Sequence, residues 1–140
     1  MKTNFSNHIG YFLQEVARKS AIALNDKLQV LDITYAQFRV LNCLLKKGPL
    51  SQKEILKIIS VTPATLTGTV DILEKKKLVY RESDTEDART KKIYLTSQGT
   101  DIQRDAWTIV ENFEKKTTGF LTEEEREVIL KGLKEMEKYL

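Results

Sequence analysis

A chain of 140 residues, 41% hydrophobic and 31% charged, can bury the core of one compact domain but is too short for separate catalytic and binding domains. That balance excludes a mostly disordered chain, and no apolar run approaches the roughly 20 residues that span a bilayer. The net charge of +3 is small, yet 11 Lys and Arg stand against 7 Asp and Glu within residues 46–95, so the basic excess sits mid-chain, as a polyanion-binding surface requires.

The first residues, Met1 to His8, lack the basic start, apolar stretch and small-residue cleavage site of a signal peptide, which leads to the expectation of a cytoplasmic protein. Ile9, Phe12, Leu13, Val16 and Ala17, then Leu24, Leu28 and Leu31, recur at three- and four-residue steps and predict a long first helix, interrupted at Asp32-Ile33. Thr34-Tyr35-Ala36-Gln37 has the form of a capping box and opens a second helix with Phe38, Leu41, Leu44 and Leu45 inward. Lys46-Lys47-Gly48-Pro49 stops it. Cys43 lies in that apolar pattern. It is the one cysteine, cannot form an internal disulfide, and reads as a small buried hydrophobe rather than a redox switch.

A second capping box, Ser51-Gln52-Lys53-Glu54, opens a short third helix with Ile55, Ile58 and Ile59 inward. Thr62-Pro63 places an N-cap before a proline at the first helical position and starts a fourth helix whose buried stripe is Leu66, Val70 and Leu73. After three lysines the period changes to two. Residues 79–82 and 92–95 are short strand candidates, separated by the polar residues 83–91, and form a hairpin with a charged tip. Thr96-Ser97 caps a fifth helix with Ile102, Ala106, Ile109, Val110 and Phe113 on one stripe, ending near Gly119. Thr122 to Glu125 is a further capping box, and Val128, Ile129, Leu133, Met136 and Leu140 supply the last apolar stripe.

The inventory argues against an enzyme and against a cofactor. The one histidine, His8, has no cysteine or acidic pair at metal-ligand spacing, Cys43 does not complete a metal site with it, and neither a glycine-rich phosphate loop nor a Gly-x-Ser-x-Gly elbow is present.

A short helix, a tight turn, a second helix and then a β-hairpin is the layout of a winged helix-turn-helix, so the expected fold is mainly α with a small β-hairpin wing. With Leu66, Val70 and Leu73 inward, Ala64, Thr65, Gly68 and Lys75 lie on the opposite face and Thr67 at its margin. That face suits DNA, because threonine can hydrogen-bond and press its methyl on the thymine methyl, and alanine can do the second. In the hairpin, Asp87 can hold the guanidinium of Arg89, which a narrow minor groove attracts; the hairpin alone reads equally as a solvated charged turn.

Residues 34–99 resemble the MarR family of bacterial transcription regulators. The resemblance rests on Tyr35 through Leu41, Leu50-Ser51, Val70 through Lys76, Leu78-Val79, Asp84 through Arg89 and Leu95-Thr96-Ser97-Gln98-Gly99, of which the wing run joined to Leu-Thr-x-x-Gly is the most specific. It implies a homodimer built by residues 1–33 and 97–140, with residues 34–96 as paired winged helices on a pseudo-palindromic operator in double-stranded DNA. Ser51, Gln52 and Lys53 map to the phosphate-facing start of the third helix. Thr62, Ala64, Thr65, Thr67 and Gly68 map to the recognition helix, Arg89 and Lys91 to the wing, and Asp87 to its support. It also implies repression relieved by a small aromatic or anionic ligand, for which Tyr35, Phe38, Arg39 and Trp107 are the candidate walls.

The family commonly carries an arginine where this chain has Gly68, and often a glycine where it has Lys77, a position that favours positive φ. The threonine-rich face and the missing arginine point to a T/A-rich operator. The alternative is a winged-helix protein-interaction module that no longer binds DNA.

Overall fold

The computed structural model of the protein describes residues 4–140; the reading of the N-terminus as no signal peptide falls partly on Met1 to Thr3, which lie outside the described residues. The order is α1 (Ile9–Leu28), a 3-10 turn (Gln29–Leu31), α2 (Tyr35–Lys47), α3 (Gln52–Leu56), α4 (Pro63–Lys75), β1 (Val79–Ser83), β2 (Lys91–Leu95), α5 (Ser97–Thr118) and α6 (Glu123–Glu137). The chain divides into two compact units, one running to Trp107 and one from Thr108 to Leu140.

In the first unit, α1 stops where Leu31 was expected to continue it. Its last turn tightens to 3-10 and ends on Asp32 at φ 54°, a left-handed conformation that a short polar side chain tolerates. Thr34 then caps α2 with both halves of a capping box: its side chain accepts from Gln37 N at 3.1 Å, and Gln37 Oε1 accepts from Thr34 N at 3.1 Å. Gln37 is buried, and its Oε1 also accepts from Lys76 Nζ at 3.3 Å, while Lys76 donates to the carbonyl of Asp32. Lysine at the end of α4 thus ties that end to the corner between α1 and α2.

The core joins Leu24 and Leu28 of α1, Phe38, Val40, Leu41 and Leu44 of α2, Ile55 of α3, Leu66, Val70 and Leu73 of α4, and Val79 and Ile93 of the hairpin. Two positions expected inward are outside. Leu45 is 40% exposed and Ile58 47% exposed, because Val40 and Cys43 take the buried face of α2, and α3 ends at Leu56, so Ile58 leaves the helical phase. Cys43 is buried as expected, and loss of hydration raises its thiol pKa despite the opposing charges of Lys47 and Lys46.

The strands pair antiparallel, Val79 with Leu95 through Ser83 with Lys91, one residue longer each than the alternation predicts. Leu50 adds a single bridge to Ile93, with Leu50 N donating to Ile93 O at 3.3 Å and Ile93 N to Leu50 O at 2.7 Å. Two tight details hold the hairpin to the helices. Lys77 takes φ 59°, its N donates to Glu74 O and Leu78 N to Leu73 O, both at 3.0 Å: a helix terminus that favours glycine is closed here by lysine. At Gly99 a Cβ would stand 2.0 Å from the carbonyl oxygen of Leu78, so only glycine lets the first turn of α5 lie against that corner.

In the second unit, Thr122 and Glu125 form the expected capping box, and these hydrogen bonds hold the Glu125 carboxyl below the usual carboxylate range. The apolar stripe of α6 is left open among the described residues: Val128 is 70% exposed, and Ile129, Leu133 and Met136 are exposed too. The first half of α1 is alike in this respect, since Ile9, Phe12 and Val16 are all exposed. Among the described residues, no helix is long and apolar enough to cross a membrane.

Candidate nucleic-acid interface

The face of α4 follows from its cap and its buried stripe. Thr62 accepts from Thr65 N at 3.2 Å, Pro63 occupies the first turn, and Leu66, Val70 and Leu73 are fully buried. The opposite side is consequently open: Thr62, Ala64, Thr65, Thr67, Gly68 and Lys75 are all exposed. Its hydroxyls are partly engaged. Thr62 Oγ1 donates to Thr65 Oγ1 at 2.9 Å, Thr67 Oγ1 donates to the carbonyl of Pro63 at 3.0 Å, and Thr69 Oγ1 to that of Thr65 at 3.0 Å. The hydroxyl of Thr67, at the margin of this face, is thus already taken up. At Gly68 a Cβ would meet nothing within 4 Å, so no packing demands a glycine and the surface there is bare.

The wing tip is organised by its acids. Asp84 N donates to Thr90 O at 2.7 Å and Thr90 N to Asp87 O at 3.0 Å, which closes the loop. Asp87 Oδ1 accepts from Arg89 N at 3.0 Å and from Arg89 Nε at 3.4 Å, and Asp87 Oδ2 accepts from Thr90 Oγ1 at 3.2 Å. The backbone bond from Arg89, with the side-chain bonds behind it, holds the Asp87 carboxyl below its ordinary range. The side chain of Arg89 stays 94% exposed, so its terminal nitrogens are presented from a supported base. Lys91 is exposed at the start of β2.

The start of α3 departs from the expectation at one residue. Ser51 is buried, and its hydroxyl is taken up by the helix end, accepting from Glu54 N and donating to Glu54 Oε1, both at 3.2 Å; it has no hydroxyl to offer a phosphate. Glu54 does not reach back to complete a box, since its carboxylate receives that hydroxyl instead. Lys53 is exposed, whereas Gln52 is half-buried and joined to Thr67 and to Arg81, a residue that the sequence pattern did not single out.

The four candidate ligand-wall residues do not line one cavity. Trp107 does, in an open cavity of about 540 Å³ between α2 and the first half of α5, together with Asn42, Leu45, Lys46, Gln103 and Arg104. Phe38 is core, with its ring 6.4 Å from that of Trp107 and 6.0 Å from Tyr35, and Arg39 is half-buried one turn before the cavity. Their spacing on α2 places them a turn too early. Gln103 is buried, donates to Asn42 Oδ1 at 3.1 Å, and leaves its own Oε1 without a partner. Among the described residues, no cluster of His, Cys, Asp and Glu has the arrangement of a metal site.

Residues 33–91 match the MarR family. An uncharacterized HTH-type transcriptional regulator of Bacillus subtilis, YwoH, is 33% identical over 93 residues, covering 66% of this chain and 67% of the relative. Among solved structures, a mutant MarR from E. coli complexed with operator DNA superposes with a TM-score of 0.87 at 30% identity, over 96% of this chain and 99% of that one. BpsR of Bordetella bronchiseptica, whose DNA binding is regulated by 6-hydroxynicotinic acid, superposes with a TM-score of 0.89 at 26% identity, over 98% of both chains.

Proposed function

The chain belongs to the MarR family and is a DNA-binding transcription regulator rather than an enzyme, and from that premise we propose that it acts as a homodimeric repressor on a pseudo-palindromic, T/A-rich operator. The observation that carries this reading is the pairing of two exposed elements with different chemistry. α4 offers methyl groups from Ala64, Thr65 and Thr67 to the major groove, and the wing offers Arg89 held by Asp87 to the adjacent minor groove. Lys53 and Lys91 flank them and supply cationic contact to the backbone, while Gln52 lies behind them with its amide engaged by Thr67 and Arg81. A second copy is the partner that fits the exposed apolar faces of α1 and α6, with residues 1–33 and 97–140 as the dimerisation region and residues 34–96 as the reading head. A repressor of this kind works by occupying the DNA that the transcription machinery needs.

The cavity beside Trp107 is the proposed ligand site. Its indole wall, the cation of Lys46 and the unpartnered Oε1 of Gln103 suit a flat aromatic acid that also carries a hydrogen-bond donor. 6-Hydroxynicotinic acid, which regulates DNA binding in the related BpsR, has that chemistry. Trp107 is the only tryptophan, so its fluorescence reports the site directly. Quenching on titration, with release of bound DNA, is the expected result. Unchanged fluorescence and unchanged DNA binding at millimolar acid would contradict it.

Selection of bound duplexes from a random library, followed by fluorescence polarisation against salt, tests the main reading. T/A-rich inverted half-sites and an affinity that falls steeply with salt are expected. G/C-rich half-sites would overturn the operator prediction, and failure to enrich any sequence would favour the protein-interaction alternative.

A further inference from the structure

Arg81 lies on β1, yet its side chain turns away from the wing tip and into the junction of three elements. Its Nη1 donates to Glu74 Oε1 at 2.9 Å, while Nη2 donates to Asp71 Oδ1 at 2.8 Å and to Gln52 Oε1 at 3.2 Å. The backbone N of Arg81 adds a bond to Glu74 Oε2 at 3.3 Å. The chain of contacts continues outward. Gln52, its amide oriented by Arg81, donates from Nε2 to Thr67 Oγ1 at 3.0 Å, and Thr67 donates in turn to the Pro63 carbonyl at 3.0 Å. One guanidinium therefore links the wing strand, the first turn of α3 and the flank of α4, and ends on a threonine of the exposed α4 face.

The charge arithmetic separates Arg81 from a DNA ligand. Two carboxylates stand against one guanidinium, and the side chain is only 19% exposed, so its donors point at protein acceptors rather than outward. The planar fork meets three acceptors at once, which a lysine ammonium on a flexible stem cannot reproduce.

We propose that Arg81 is a positioning residue for sequence recognition: without touching DNA, it holds α3, α4 and the wing in one register and, through Gln52, sets the pose in which Thr67 meets its base. This rests on the operator-binding reading above. With the hydroxyl of Thr67 occupied by Gln52 and Pro63, a thymine methyl meets the threonine methyl; once Arg81 is lost, Gln52 is free to rotate, Thr67 keeps only its bond to the Pro63 carbonyl, and its hydroxyl can turn to serve other bases.

The test uses the full chain, the duplex it selects from a random library, and a scrambled duplex of equal length. For Arg81→Gln, the ratio of affinities for selected over scrambled duplex falls about tenfold, the scale of one mis-read base pair, while the dependence of affinity on salt keeps its slope. Arg81→Lys keeps the cation beside Asp71 and Glu74, and so folds closer to the native protein, but still loses most of the ratio. Gln52→Ala cuts only the relay and relaxes preference at the single base step that Thr67 faces. If Arg81→Gln does not fold, the other two variants carry the test. A uniform loss on both duplexes with a salt slope smaller by about one would make Arg81 a phosphate contact and overturn the proposal. A lower melting temperature with an unchanged ratio would make it a structural ion pair only, and overturn it equally. If the unaltered chain itself shows no preference for any duplex, the operator-binding reading fails instead, which is distinguishable because it precedes any substitution.

Discussion

α4 and α6 begin alike and end differently. Each opens on a threonine whose side chain accepts from the third backbone amide, each runs for three to four turns, and each carries an apolar stripe at helical spacing. In α4 that stripe is fully buried within the chain, and the first turns of the opposite face are small and polar, with Ile72 the one large apolar side chain exposed on the helix. In α6 none of the residues is buried, so Val128, Ile129, Leu133 and Met136 form an exposed apolar face. An amphipathic pattern states that a face will be covered and leaves open by what. For α4 the cover is the rest of its own unit, which leaves the other face open, the face proposed to meet DNA. For α6 the cover must come from outside the helix, and the proposal is that a second copy of the chain supplies it.

The largest expected effect breaks the contrast from the α6 side. Changing both Ile129 and Leu133 to Asp puts two charges in the exposed stripe. It should convert the proposed dimer to a monomer in sedimentation and lower operator affinity roughly 10²- to 10⁴-fold, because the second half-site is no longer tethered. A variant that still sediments as a dimer would show that α6 does not form the interface. From the α4 side, Leu66→Ala removes a fully buried side chain and should cost about 2–5 kcal/mol in urea unfolding, whereas Leu133→Ala should mainly make the melting temperature more dependent on protein concentration.

Smaller effects sharpen the division further. Arg89→Ala should weaken operator binding by about 1–3 kcal/mol without altering the melting curve, since its side chain is 94% exposed and its contact is the one to Asp87 among the described residues. Unchanged affinity at moderate salt would remove the wing from the interface. Lys77→Gly relieves a left-handed lysine at the end of α4 and should stabilise the fold by about 1 kcal/mol in the same urea assay; destabilisation would mean that the lysine side chain contributes more than its backbone costs. The smallest effect is in pH. The carboxyls of Glu125 and Asp87 have pKa values below their unfolded ones, so what each contributes is complete above the usual carboxylate range and is lost as pH falls through the lowered folded value. Unfolding monitored from neutral pH into the acid range should therefore show Glu125→Gln differing from the unaltered chain near neutrality and converging with it in strong acid.

Local signals made much of this legible. Thr34 and Gln37, Thr62 and Pro63, and Thr122 and Glu125 each announce a helix start within four residues, and each is realised in the structure. The positive φ at Lys77 follows from its place after a helix, and the pairing of Asp87 with Arg89 needs only two residues of separation. What escaped was set by partners distant in sequence. Arg81 meets Gln52 across 29 positions and Lys76 meets Gln37 across 39, and no periodicity contains either pair. Leu45 and Ile58 failed for a related reason, because a helical wheel assigns one inward face while α2 turns a different arc inward and α3 stops before Ile58. The cavity beside Trp107 was missed in part because aromatic residues marked a wall that Asn42, Lys46 and Gln103 in fact share.

The stoichiometry of the DNA complex tests the division between α4 and α6 most directly. Native mass spectrometry of the chain with its selected duplex should give two chains per duplex, falling to one weakly held chain when Ile129 and Leu133 are both changed to Asp. A single chain bound at full affinity, or a double variant that still binds as a pair, would contradict it.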